Sequence, residues 1–426
     1  VTTGRSERRL TATVTDLTVP RQRAFLVGSL FDHAPDHSLD ELQRLTDTAG
    51  SDTVGRASLR RRRPDPATLV GSGQASRLAE QAAQLDVDVV IFDDDLTPTQ
   101  QRNLQKTFSC DVVDRPGLIL DIFAQHATSR AGMLQVELAL LSYHLPRLRG
   151  HGVALSRQAG GIGTRGPGET KLETDRRRIE RRIAKLGSEL EKLERTRATQ
   201  RKARKRNDVP LVALVGYTNA GKSTLLNALT GTDVLVEDRL FSTLDATVRR
   251  RRLPDGRTIV LSDTVGFVRR IPHDLIAAFH STLEEIADAG LIVHVSDAAD
   301  PDAESHIATV QEVLGELGAS PVPELLVFNK IDAAGPIQVQ RLLALHPDAL
   351  GISAVAATGL EDLIDRIERL LPMRMVERTL SIPHDRQDLV SMALESGEVL
   401  DEEQTTSGVR MRVRLPEHLT PMFDGL

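Results

Sequence analysis

A single cysteine, no tryptophan and only 3% aromatic residues mark this 426-residue chain first by what it lacks. The lone Cys110 excludes an internal disulfide framework and a cysteine-built zinc or iron–sulfur centre within one chain. So few aromatic rings also leave little material for a large aromatic binding surface. No apolar run approaches the ~18 residues of a membrane-spanning helix. The first residues, VTTGRSERRLTATV, are polar and charged and hold no signal-peptide core. The expectation is a soluble, cytoplasmic protein.

What is present supports several folded domains: 40% of the residues are apolar and 27% charged, and the length predicts about three domains. The net charge of −6 conceals an asymmetry. Between Lys171 and Arg206 stand 15 Lys or Arg against 6 Asp or Glu, a local +9 that leaves −15 for the remainder. A basic element on an acidic body points to directed contact with a polyanion, although a solvated helix face has the same composition.

After a polar tail (1–20), the stretch 21–126 alternates short apolar runs with helical patterns. Strands are expected at Ala24–Gly28, Leu69–Gly71 and Val87–Phe92, and helices at Leu39–Thr48, Ser72–Leu85 and Thr97–Thr107. Strands alternating with helices predict a small α/β domain with a mostly parallel sheet. The period then changes. Leu134, Leu138, Leu141, Leu145 and Leu148 form one heptad seam, and Leu172, Ile179, Ile183, Leu186, Leu190 and Leu193 form another. The two predict an antiparallel helical hairpin over 127–206. Its connecting loop, 150–169, is rich in glycine and carries Arg157 and Arg165. Such a loop is either a flexible basic probe or a plain connector. A second α/β domain is expected over 207–372. A small α+β module is expected over 373–426, with a strand at Arg378–Ile382, a helix at Arg386–Glu395, and a last strand whose Arg410, Arg412 and Arg414 give it one basic face.

Five motifs in the second α/β domain carry chemistry. An apolar strand runs into Gly216, Tyr217, Thr218, Asn219, Ala220, Gly221, Lys222 and Ser223, followed by a helical pattern. This is GxxxxGKS in its strand–loop–helix context: backbone N–H groups cradle phosphates, Lys222 reaches the β- and γ-phosphates, and Ser223 ligates Mg²⁺. A second strand ends in Asp263, Thr264, Val265 and Gly266, a carboxylate to hold Mg²⁺ through water and an N–H to sense the γ-phosphate. Between them lie Phe241, Ser242, Thr243, Leu244 and Asp245, with Thr243 the expected Mg²⁺ ligand and Thr247 the alternative. A third strand delivers Asn329, Lys330, Ile331 and Asp332; the Asp332 carboxylate can accept from N1–H and the 2-amino group of guanine, donors that adenine lacks. Ser353, Ala354 and Val355 follow at the next strand end, where backbone N–H groups suit guanine O6. The set predicts hydrolysis of GTP to GDP and phosphate, with Lys222, Thr243 and Gly266 closest to the chemistry. Phe267 stands where many GTPases place a water-orienting glutamine.

With these motifs, the sequence GGIGTRGPGETKLETDRRRI at Gly160 to Ile179, and the α/β domain ahead of the hairpin, the chain resembles the HflX family of translational GTPases over nearly its whole length. The resemblance implies binding to the large (50S) subunit and the 70S ribosome. It implies a hairpin tip directed at 23S rRNA near the peptidyl transferase region, and ribosome-stimulated hydrolysis that splits stalled or idle ribosomes in stress recovery or antibiotic tolerance. It further implies a monomer that is cytoplasmic and partly ribosome-associated. A GTP-dependent 50S assembly factor uses the same contacts. An ATP-dependent rRNA remodeller acting through Val70-Gly-Ser-Gly-Gln74, and an adaptor that only binds nucleotide, are the other readings. The basic run Arg60–Arg63 is expected in a loop.

Overall fold

A computed structural model of the chain describes residues 21–31, 38–61, 63–148, 167–206, 209–231, 240–241, 247–269, 286–371 and 375–423. The chain divides into two compact units, Val1–Asp121 and Ile122–Leu426.

The first unit is built on β1 (Gln22–Phe31), α1 (Ser38–Thr48), β2 (Ser51–Arg61), α2 (Ser72–Gln84), β3 (Val89–Phe92), α3 (Pro98–Phe108) and β4 (Asp111–Asp114), after which α4 (Arg115–His126) begins. Its sheet has the order β2-β1-β3-β4 and is parallel throughout, as the alternation of strands and helices predicts. Phe25, Val27, Val90 and Phe92 face Leu78 and Leu104 in its core. Thr97 starts α3 with a capping box shared with Gln100.

Two expectations are corrected here. Leu69–Gly71 is not a strand: Leu69 takes φ 62° and forms only an isolated antiparallel bridge with Asp65. The missing strand is β2, whose exposed Asp52, Arg56, Ser58 and Arg60 hide its periodicity at the sheet edge. The run Arg60–Arg63 is accordingly no simple loop, because Arg60 and Arg61 close β2 opposite Leu30 and Phe31. Cys110 is half-buried, and its thiol is pushed up to about 11, chiefly by that burial with Asp111 and Asp88 adding to it. It is therefore no nucleophile near neutrality.

In the second unit, α5 (Arg130–His144) packs on α6 (Pro167–Arg206) through Leu134, Leu138 and Leu141 against Leu186, Leu190 and Leu193. Arg182 holds Glu137 with two bonds of 2.7 Å, while Arg130 lies 3.9 Å from Glu189. Moving up one arm thus moves down the other, and the hairpin is antiparallel. The first seam stops early, since Leu145–Leu148 contains Pro146 and forms a 3₁₀ turn. The expected loop is shorter at its far end: Pro167, Gly168 and Glu169 already belong to α6. Its residues 150–166 lie outside the described residues.

The second α/β domain carries β5 (Leu211–Gly216), α7 (Lys222–Thr230), β6 (Thr247–Arg252), β7 (Thr258–Asp263), β8 (Leu291–Asp297), α8 (Ala303–Glu316), β9 (Glu324–Asn329), α9 (Pro336–Leu345), β10 (Leu350–Gly351) and α10 (Leu360–Leu370). The sheet order is β10-β9-β8-β5-β7-β6, parallel except for the edge strand β6. Val212, Leu214, Val293 and Val295 meet Leu225, Leu226 and Leu363 on one face. Phe328 meets Ile307 and Leu342 on the other. Helices on both faces leave the carboxyl ends of the strands as the open crevice, where such sheets bind ligands.

The last module pairs β11 (Met375–Pro383) and β12 (Glu398–Thr405) on either side of β13 (Gly408–Pro416), all antiparallel, with α11 (Gln387–Ser396) against one face. The unexpected β12 changes the reading of the basic face of β13. Glu398, Asp401 and Glu403 stand directly opposite Arg414, Arg412 and Arg410. The arginines are answered within the sheet itself.

Candidate nucleotide site

The P-loop, the Asp263–Gly266 segment, the Asn329–Asp332 loop and the Ser353–Val355 turn all leave the central sheet at the carboxyl ends of its strands. The P-loop leaves β5 at Gly216, bends through Asn219 at φ 61° and Gly221 at φ 91°, and enters α7 at Lys222. A Cβ on Gly221 would stand 2.3 Å from Asn329 Nδ2, so only glycine lets the two loops meet. Lys222 is buried, and its ammonium donates to the carbonyls of Gly216 and Tyr217 at 3.1 and 3.0 Å. Burial lowers its pKa to about 8, with Asp263 pulling the other way. Ser223 Oγ donates to Asp263 Oδ2 at 2.6 Å. Thr264 Oγ1 donates to the Leu214 carbonyl and ties β7 back to β5.

The segment after Asp263 is joined to the P-loop by three hydrogen bonds. Phe267 N donates to Gly216 O at 3.1 Å, Thr218 N to Phe267 O at 2.7 Å, and Arg269 N to Tyr217 Oη at 2.8 Å. Val265 and Phe267 are both buried, so the phenyl ring is core rather than site lining. A Cβ at Gly266 would meet Thr218 Cγ2 at 2.7 Å and Lys222 Nζ at 3.1 Å, which places its backbone against the cradle. Tyr217 also stacks on His306, centroids 3.7 Å apart. Tyr217→Phe keeps the ring on His306 and removes the acceptor of the Arg269 amide. Exchange of that amide with deuterium is expected to speed up about fivefold, the worth of ~1 kcal/mol for one net hydrogen bond. Unchanged exchange would show that the hydroxyl does not hold this segment.

On the base side, Asn329 Nδ2 donates to Ala220 O at 2.9 Å and its Oδ1 accepts from Ala354 N at 3.0 Å. One side chain thereby links the P-loop to the Ser353–Val355 turn. Ala354 N–H is engaged by Asn329, which differs from the expectation of an amide waiting for guanine O6. Lys330, at φ 62°, pairs with Asp297 at 2.7 Å, Ile331 N donates to Ile352 O, and Asp332 is exposed. Ser353 Oγ caps Ala356 N, and Val355 is 81% exposed.

Ser242, Thr243, Leu244 and Asp245 lie outside the described residues. Phe241 just ahead of them is buried at φ 59°, its ring edge-on to Phe123 of α4 at 4.7 Å. The alternative ligand Thr247 opens β6 opposite Asp263. The Val70–Gln74 segment departs from a turn rather than a strand, and Gly71 at φ 82° offers no side-chain cap to α2. The Tyr217–Arg269 contact has no signature in the sequence, because that P-loop position tolerates any residue. The four consecutive arginines Arg249–Arg252 of β6 belong to no motif. Among the described residues, no helix is long and apolar enough to cross a membrane, and no three His, Cys, Asp or Glu side chains are grouped to hold a metal.

Comparison with known proteins agrees with this geometry. Four family models match in succession: GTP-binding GTPase N-terminal over 36–124, GTP-binding GTPase Middle Region over 126–204, 50S ribosome-binding GTPase over 211–330, and HflX C-terminal domain over 339–424. GTPase HflX of Caldanaerobacter subterraneus subsp. tengcongensis is 45% identical over 404 residues, covering 94% of this chain and 92% of that protein. GTPase HflX of Escherichia coli K12 is 42% identical over 399 residues, covering 93% and 94%. Among solved structures, a GTP-binding protein from the archaeon Sulfolobus solfataricus in complex with GDP is 27% identical, with a TM-score of 0.42 over 82% of this chain and 98% of that one. Read with the phosphate cradle and the guanine-side loop at one sheet edge, near-full-length identity at this level makes the chain a GTPase and a member of the HflX family.

Proposed function

We propose that this GTPase docks on the large ribosomal subunit, directs its hairpin at 23S rRNA near the peptidyl transferase region, and uses GTP hydrolysis to dissociate stalled or idle 70S ribosomes. The observation that carries the reading is the 40-residue α6. A short leucine seam and the Arg182–Glu137 pair hold it to α5, and Arg178, Arg181, Lys185 and Lys192 have no acidic partner among the described residues. Unpaired cations along a stiff arm suit counterion release from RNA phosphates. The family model described as a 50S ribosome-binding GTPase supports the same target.

The residues at the crevice suit Mg²⁺–GTP. Ser223 Oγ and Asp263 Oδ2 are hard oxygen donors in contact, and the buried Thr218 hydroxyl lacks a partner among the described residues, as a P-loop awaiting phosphate oxygens requires. Ser223 and Thr243 are the direct ligands in this reading, with Asp263 holding the ion through water. An ion held there would supply positive charge to offset that of the phosphates. The P-loop amides and Lys222 orient the β- and γ-phosphates, Gly266 N–H faces the γ-phosphate, and Asp332 reads the guanine edge.

Phe267 cannot orient the attacking water: a phenyl ring offers no hydrogen bond, and this one is buried. Turnover of the isolated protein is therefore expected to be slow, and purified 50S subunits are expected to raise kcat by about 100-fold or more. Equal turnover with and without subunits would refute the proposal.

A further inference from the structure

We propose that Arg250 and Arg252, on the exposed face of β6, form a second RNA-docking element on the GTPase domain, one that takes neighbouring phosphates of a single large-subunit rRNA strand. The inference rests on the ribosome-binding reading and adds to it a surface separate from the hairpin.

β6 is the outer strand of the six-stranded sheet and pairs only with β7. Its sequence, TVRRRR, places Arg250 and Arg252 exposed and Arg249 and Arg251 half-buried. None of the four meets a carboxylate within 4.0 Å among the described residues. Arg249 bonds only the carbonyl of Val248, and Arg251 Nε is buried with no partner. Arg257 of the adjoining turn and the arginines of β13 are placed differently. Arg257, at the far side of the same hairpin, is paired with Asp255 and bonds Glu368 O. The β13 arginines face the acids of β12.

A charged edge strand guards against aggregation, but one or two lysines accomplish that. Arg250 and Arg252 share one face with no acid between them, repel each other and gain nothing in the free protein. They call for an anion that arrives from outside. Arginine rather than lysine favours phosphate, whose oxygens match the guanidinium fork. Alternate residues on an extended strand recur about every 7 Å, close to the separation of neighbouring phosphates along a nucleic acid strand. A row of equal charges at regular pitch suits a polymer carrying one charge per repeat better than the scattered carboxylates of a protein surface. The strand begins at Thr247, in register with Asp263. Arg250 and Arg252 stand opposite Val260 and Thr258, progressively farther from that end of the strand.

The test compares wild type with Arg250→Gln/Arg252→Gln, exposed positions outside the nucleotide machinery. Binding to purified 50S subunits and to protein-free 23S rRNA is measured between 50 and 200 mM salt in the presence of a non-hydrolysable GTP analogue. Unaltered affinity for that analogue certifies the fold. The double variant is expected to bind both probes about tenfold more weakly at 100 mM salt, with a log–log salt slope shallower by about 2. Arg250→Lys/Arg252→Lys is expected to restore the slope but only part of the affinity. Unchanged binding to both probes would reduce the row to a guarded sheet edge and overturn the proposal. Weaker binding to 50S with unchanged binding to bare rRNA would overturn it in favour of an acidic protein. If wild type itself does not bind 50S, the ribosome reading fails, and this inference fails with it.

Discussion

Lys222→Ala is expected to weaken GTP binding by two to three orders of magnitude. The side chain is 6% exposed, its ammonium touches two P-loop carbonyls, and it stands against the backbone of Gly266. Truncating one partner of a buried, hydrogen-bonded charge pair costs about 2–5 kcal/mol, and triphosphate supplies the opposite charge here. A pH signature accompanies the loss. In the nucleotide-free protein burial brings the Lys222 ammonium down to about 8. Bound phosphates favour the protonated form, so binding takes up a proton once the pH exceeds that value. Affinity should be flat below pH 7 and fall as pH rises through 8, by at most about tenfold per unit, and Lys222→Met should lack that fall. Equilibrium titration with a fluorescent GTP analogue measures both effects. Micromolar affinity retained by the alanine variant would remove Lys222 from the phosphate site.

Asp332→Asn is expected to lower GTP affinity about 100-fold or more and to raise affinity for xanthosine triphosphate by a similar factor. The carboxylate accepts two guanine N–H groups. An amide in its place turns one acceptor into a donor and leaves a guanine donor facing a donor, whereas xanthine presents an oxygen there. A site built to hydrogen-bond a donor discriminates strongly against a ligand lacking it, because its own polar groups then go unpaired. Asp332 is exposed and outside the Asn329 bracing network, so the substitution should not disturb the loops. Unchanged preference for GTP would place base recognition elsewhere.

How far the chain was legible depended on where each strand sits. β5, β7 and β9 are interior strands, covered by helices on both faces, and their continuous apolar runs announce them. β2, β6 and β12 lie at sheet edges, where one side meets water. Their sequences, SDTVGRASLRR, TVRRRR and EVLDEEQT, read as loops or charge runs because packing scarcely constrains them. The phosphate- and base-reading motifs are legible because backbone geometry demands particular residues, as Gly221 beside Asn329 shows. Contacts made by unconstrained positions are not. The Tyr217 hydroxyl on Arg269, the Ala354 amide on Asn329 and the Phe241–Phe123 ring pair arise from tertiary packing that no local spacing encodes.

The Phe241–Phe123 pair also has a mechanical meaning. It fixes the start of the segment that carries Thr243 against α4, the helix that leads into the hairpin.

In the proposed function, GTP hydrolysis separates the ribosomal subunits. The most direct measurement of that separation is light scattering of vacant 70S ribosomes mixed with the full-length protein and GTP, with GDP as the control. The account predicts a fall of the 70S signal that requires GTP and is lost in Lys222→Ala. Ribosome-stimulated turnover with the 70S signal intact would contradict it and leave a role in large-subunit assembly.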